Sequence, residues 1–357
     1  MTRRALLSLL PGYLAAAEKK HKPKPGNLPP QRGEFVWFAD PVTENIVVRL
    51  TNPEHCSFLP NSENRFVSSR EAFLVFSSDR TGTVTPYRAN LRTGAVAPIG
   101  AAKTLAARSL ALDRREREVY LIDGGELKAI DLRRLRPRTL AEDVGDFHVA
   151  GPKNEIVIRR QQKLQLIAQK EKTWIADGAA SRGIVNPAGT GCAFMRQETP
   201  GENQFWYVAF GGGKPVLLTK GRISAPFWRP DAKALLFLRA VERERYTASE
   251  LREVALDGSP ERLIAETSQF ATFAPNGDGS VIVGASRSRA QPDLVLLLRE
   301  ERREMVLCEH QAKQPAAVSP AFSPNSQRVY FESDREGKSA LYSVNVESLV
   351  EQTRDQE

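Results

Sequence analysis

The chain has 357 residues, 41% of them hydrophobic and 26% charged. A chain of this size buries a large core, and the lack of Pro/Gly/Ser-rich interior linkers argues against several independent domains. The net charge of +8 favours anionic partners, but it is interleaved, as in Arg114-Arg115-Glu116-Arg117-Glu118 and Glu300-Glu301-Arg302-Arg303-Glu304, the pattern of solvated strand ends and turns.

Residues 1–17, MTRRALLSLLPGYLAAA, set Arg3 and Arg4 before an apolar run and close on three alanines, which reads as an export signal. The competing reading, a short helix, is interrupted by Pro11 and Gly12. Arg3-Arg4 followed by Leu6-Leu7 also fits twin-arginine export. Residues 18–33 have the Lys, Pro and Gly content of a flexible basic tether, so the fold is expected over residues 34–350, with a polar tail at 351–357. No other stretch approaches the ~18 continuous apolar residues of a membrane span, and the expected product is periplasmic or secreted. Cys56, Cys192 and Cys308 are too few and too scattered for a disulfide framework or a metal site.

The first element of the fold is a hairpin. Leu74-Val75-Phe76 reads as strand, Ser78-Asp79-Arg80-Thr81-Gly82 as a tight reversal, and a second strand runs on to Asn90. The same order returns at Val329-Tyr330-Phe331 with Ser333-Asp334-Arg335-Glu336-Gly337. Between them stand Val119-Tyr120-Leu121, Ile156-Val157-Ile158, Cys192-Ala193-Phe194, Leu235-Leu236-Phe237 and Val281-Ile282-Val283, with middle residues 36 to 48 positions apart. Four of the units follow a Pro turn: Asn186-Pro187, Arg229-Pro230, Ala274-Pro275 and Ser323-Pro324. A repeat of about 40 residues with several short strands marks a β-propeller; a β-helix has a far shorter repeat. The reading is all-β: seven blades of four antiparallel strands, the last completed by Asn45–Leu50 from the N-terminal side.

The hairpins resemble the WD40-like repeats of TolB-type propellers. A resemblance to the oligogalacturonate lyase family covers nearly the whole expected fold. It is carried by Asp40-Pro41 leading to Arg49-Leu50-Thr51, the first hairpin, Gly125-Glu126-Leu127, Asn203-Gln204-Phe205-Trp206, Phe227-Trp228-Arg229-Pro230-Asp231 and the final blade. The resemblance implies a seven-bladed fold and β-elimination of short pectin fragments. In that chemistry a Mn²⁺-like ion acidifies a C–H bond and a histidine base removes the proton. On this sequence the pattern keeps Gln314 but puts Ala317 and Ser319 at the paired metal histidines, Ala225 at another, and Arg196 at the base. One amide and one hydroxyl cannot hold a divalent ion, so no cofactor is expected and the lyase mechanism should be lost.

What remains is binding: Arg196 for a carboxylate, Gln204 and Gln314 as hydrogen-bonding amides, and Trp206 or Trp228 as a surface for a sugar ring. Against this, Arg196 can pair with Glu198 and both tryptophans can be blade packing. His148 is expected to be a hydrogen-bonded histidine near a strand. The expected function is an exported, non-catalytic, monomeric propeller binding an anionic oligosaccharide or an envelope protein at its central mouth. The alternatives are a surviving uronide lyase, dependent on Mn²⁺ or Ca²⁺, with Arg196 as base, and a TolB-like envelope scaffold. Arg133, Arg134, Arg136 and Arg138 form a single-sign cluster without an aromatic stacking motif, so nucleic acid is not expected as a partner. No Gly-x-Ser-x-Gly elbow supports a serine hydrolase.

Overall fold

A computed structural model describes residues 33–168 and 171–347. The expected export signal, the tether up to residue 32 and the polar tail lie outside the described residues.

The chain forms seven antiparallel sheets arranged as the blades of a propeller. Blade 1 spans residues 57–98, blade 2 residues 111–141, blade 3 residues 146–177, blade 4 residues 184–221, blade 5 residues 223–267 and blade 6 residues 270–309. Blade 7 combines Ala321–Phe322, Arg328–Ser333 and Ala340–Asn345 with Ile46–Arg49. The N-terminal strand therefore closes the ring as expected. One feature departs from the expectation: Val36–Ala39 adds a fifth strand outside Ile46–Arg49, because the intervening turn, with Asp40 N–H donating to the Asn45 carbonyl at 2.9 Å, folds the chain back on itself.

Each of the seven apolar triplets lies in the second strand of its blade, buried on both faces. Alternation decides where each side chain goes. In blade 4, Cys192 and Phe194 pack toward blade 3 and Ala193 toward blade 5; in blade 5, Leu235 and Phe237 pack back toward blade 4 and Leu236 forward to blade 6. Six apolar clusters thus fill the seven interfaces between blades.

The Ser-Asp-Arg-x-Gly turns hold each hairpin to the chain entering its own blade. Asp79 accepts from Cys56 N–H and Asp334 from Lys313 N–H, each at 2.8 Å. Arg80 lies over Phe76 and Tyr87, and Arg335 over Phe331 and Tyr342. Gly82 and Gly337 have φ of 89° and 108°, a region that L side chains rarely adopt, which is why glycine closes both turns.

Within a blade the chain runs down the first strand, up the second, down the third and up the fourth. The Ser-Asp-Arg turns therefore lie on one face, called upper here, and the Pro turns on the lower face.

Candidate functional site

The first strands of the blades surround a central channel, and the chain leaving Ser57–Phe58 crosses it. Glu63 of this segment pairs with Arg182, which precedes the inner strand of blade 4, at 2.6 Å, and Arg182 also faces Asp146 of blade 3 at 3.6 Å. The Glu63 carbonyl accepts from His148 Nε2 at 3.1 Å, and His148 Nδ1 accepts from Val185 N–H at 3.0 Å. Blade 1 is not adjacent to blades 3 and 4, so the segment bridges the channel. Burial, opposed by the Glu63 contacts, pushes the His148 pKa down to about 4, leaving a neutral imidazole with both nitrogens in use. Burial works against the Arg182 charge, but Glu63 and Asp146 outweigh it and its pKa is raised.

Below this plug lies a largely apolar cavity of about 330 Å³ with Phe227, Trp228 and Phe322 in its wall. On the upper side, between blades 7 and 1, is a cavity of about 300 Å³ with a mixed polar and apolar wall, lined in part by Gln314, Ala317, Arg108, Lys338 and the acids Glu332 and Asp334. No residue lines both.

The expected site residues fall in three places. Arg196, Gln204 and Trp206 come together on blade 4. Arg196 donates from Nε and Nη2 to the Asp177 carbonyl, at 3.1 and 2.8 Å, and its guanidinium lies 4.4 Å from the Trp206 ring centre. Trp206 Nε1 donates to Gln204 Oε1 at 2.9 Å, and Gln204 Nε2 to Glu198 at 2.8 Å. Arg196 is thus tied to the Asp177 carbonyl rather than to Glu198. The Trp206 face is taken by the guanidinium. Trp228 is buried between blades 4 and 5, donating from Nε1 to the Ile184 carbonyl at 2.8 Å and meeting Tyr207 edge-on. Gln314 lies apart from both, in the upper cavity, at the start of a 3₁₀ turn over Pro315–Ala317, and its side-chain amide makes no hydrogen bond among the described residues. A shared site of Arg196, Gln204 and Gln314 is therefore not formed.

The upper cavity holds two cations that sequence reasoning did not select. Arg108, from the connection into blade 2, forms a two-pronged pair with Glu332, which also accepts from Leu59 N–H and Ser339 Oγ, each at 2.9 Å. Burial raises the Glu332 pKa, with the Arg108 charge acting in the opposite direction. Arg108 and Glu332 are 224 positions apart, and nothing local in either segment announces the contact.

A divalent ion does not fit this arrangement. Gln314 offers one amide oxygen, Ala317 and Ala225 offer nothing, the buried carboxylate of Glu332 is already engaged by Arg108 and two other donors, and Asp334 accepts from Lys313 N–H with the Lys313 ammonium 3.9 Å away. Among the described residues no group of three or more His, Cys, Asp or Glu side chains is placed to hold a metal. The backbone at two of the positions is distinctive nonetheless: Ala225 and Ser319 have φ of 49° and 43°.

Fold and site together define a seven-bladed β-propeller with a bridged channel and an upper cavity of mixed polar and apolar wall. No family profile matches the chain, and neither does any curated protein. Among solved structures it is similar to an oligogalacturonate lyase in complex with manganese, with a TM-score of 0.79 and 18% identity over 87% of this chain and 96% of that one. It is also similar to the oligogalacturonate lyase of Vibrio parahaemolyticus, with a TM-score of 0.75 and 19% identity over the same shares. A hydrazine synthase chain of Kuenenia stuttgartiensis aligns with a TM-score of 0.56 and 10% identity over 79% of this chain and 95% of that one. At these identities the likeness is one of fold.

Proposed function

We propose that this protein is a non-catalytic propeller that binds a short anionic saccharide in the upper cavity between blades 7 and 1. The observation that carries the reading is the chemistry of that cavity: an unengaged Gln314 amide beside the Lys338 ammonium and the Arg108–Glu332 pair, with no cluster of metal ligands among the described residues. The Lys338 ammonium, which gives one bond to the Glu54 carbonyl and keeps further donors, suits a uronate carboxylate, and a free amide suits a sugar hydroxyl. Arg196 does not supply the missing base, since two of its three guanidinium nitrogens donate to a backbone carbonyl. A guanidinium would have to give up a proton before it could take one, and arginine side chains stay protonated in proteins.

Titration calorimetry with di- and trigalacturonate tests the reading. Saturable binding is expected, weakened about tenfold in Gln314→Leu, the loss of about one hydrogen bond to a charged or polar partner. An ultraviolet assay for unsaturated uronide should stay silent with and without Mn²⁺ or Ca²⁺. Metal-dependent product would overturn the non-catalytic reading, and absence of binding heat would overturn the saccharide reading.

A further inference from the structure

The lower face carries a second feature. The first turn of blade 2 (113–118), its last turn (131–136) and the first turn of blade 3 (151–154) meet there, joined by Leu132 N–H to the Arg117 carbonyl at 2.8 Å and Arg114 N–H to Asn154 Oδ1 at 2.8 Å. They enclose a cleft of about 640 Å³, whose wall holds Arg114, Arg115, Arg117 and Lys153 together with the carboxylates of Asp113, Glu118 and Asp131.

In the sequence these arginines alternate with acids; in the fold the acids, three of them in the cleft wall, bond to other groups. Asp113 accepts from the backbone N–H groups of Arg115, Arg117 and Glu118. Glu116 takes Ser69 N–H and pairs with Arg65, Glu118 pairs with Arg138, and Asp131 accepts from the N–H groups of Arg133 and Arg134. Arg114, Arg115, Arg117, Arg133, Arg134, Arg136 and Lys153 are all exposed, and among the described residues none of their side chains has an ion-pair partner.

We infer that this cleft binds an acidic polysaccharide chain, at a site separate from the upper cavity. Guanidinium forks grip carboxylates in two-pronged pairs, and a row of them along a concave cleft suits a polymer with regularly spaced acids. Nucleic acid fits less well, because the cleft offers no exposed ring for a base: Tyr120 in its wall is 5% exposed. A lipid surface fits less well too, because Arg114, Arg115, Arg117 and Lys153 line a concavity and the exposed large apolar side chain of these turns is Leu135 alone.

The test is fluorescence anisotropy with labelled polygalacturonate, oligo-dT, poly-glutamate and phosphatidylserine vesicles. Polygalacturonate should bind tightest. Raising salt from about 50 to about 500 mM should weaken it strongly, since exposed charges are then screened within a few ångströms. The double variant Arg114→Ser/Arg117→Ser removes only exposed side chains and leaves the backbone bonds of both residues in place, so its melting temperature should match the parent. It should lose about tenfold or more in polymer affinity, while trigalacturonate binding at the upper cavity stays unchanged. Gln314→Leu should show the reverse pattern, so failure at one site is distinguishable from failure at the other. An unchanged polymer affinity in the double variant, or equal or tighter binding of oligo-dT, poly-glutamate or vesicles, overturns the inference.

Discussion

His148 is neutral in the folded chain because it is fully enclosed and both ring nitrogens serve the bridge across the channel. Its pKa, normally 6.5, is pushed down to about 4, so the unfolded chain takes up a proton that the folded chain refuses. The stability this supplies is complete above pH 6.5 and is lost as pH falls toward 4, about 3 kcal/mol in all. Buried His310, its pKa also lowered by burial, acts with the same sign. Denaturant titrations at several pH values should show this decline, and His148→Gln, which keeps a donor and an acceptor without titrating, should flatten it. Glu63→Gln would leave Arg182 with only Asp146 at 3.6 Å. Because the pair is partly exposed, the expected loss is about 2 kcal/mol, below the range for fully buried pairs. A loss under about 0.5 kcal/mol in chemical denaturation, the range of ordinary surface changes, would show that the bridge is dispensable.

The blade strand was the most legible element, because a period of two and a Ser-Asp-Arg-x-Gly turn are both local signals. Three consecutive apolar residues mean that both faces are covered, and in blades 2 to 7 the flanking pair and the middle residue serve different neighbours. Phe237, fully buried against Phe205, should cost about 3–5 kcal/mol as Phe237→Ala. In blade 6, a Cβ on Gly284 would sit 2.2 Å from the Phe270 ring, so Gly284→Ala should cost about 1–3 kcal/mol through overpacking. Thermal melts of the two variants check both figures. The fifth strand, Val36–Ala39, was not legible: it has the alternation of a strand, but its partner is set by the turn at 40–45 rather than by the repeat.

At the scale of the whole molecule the ring closes because its last blade borrows a strand from the start of the chain. Val47, Val48 and Arg49 pair with Val344, Ser343 and Tyr342, and Leu50 N–H donates to the Leu341 carbonyl at 2.7 Å. Removing residues 34–50 would expose the edge of Ala340–Asn345 and the apolar face shared by blades 7 and 1. The expected result is loss of a single cooperative melting transition and a tendency to associate, read by calorimetry and light scattering. A truncated chain that melts like the parent would show that the clasp adds little.

The number of blades, the strands that repeat and the turn chemistry could be read from the chain alone, because each is carried by residues a few positions apart. The packing of the ring fixes which polar groups meet: Glu63 with Arg182 across 119 positions, Arg108 with Glu332 across 224, and six arginines and one lysine on the lower face that form no ion pair among the described residues. A charged side chain takes its partner from whatever the ring brings within a few ångströms. The acids beside it in the chain are often held by backbone N–H groups instead.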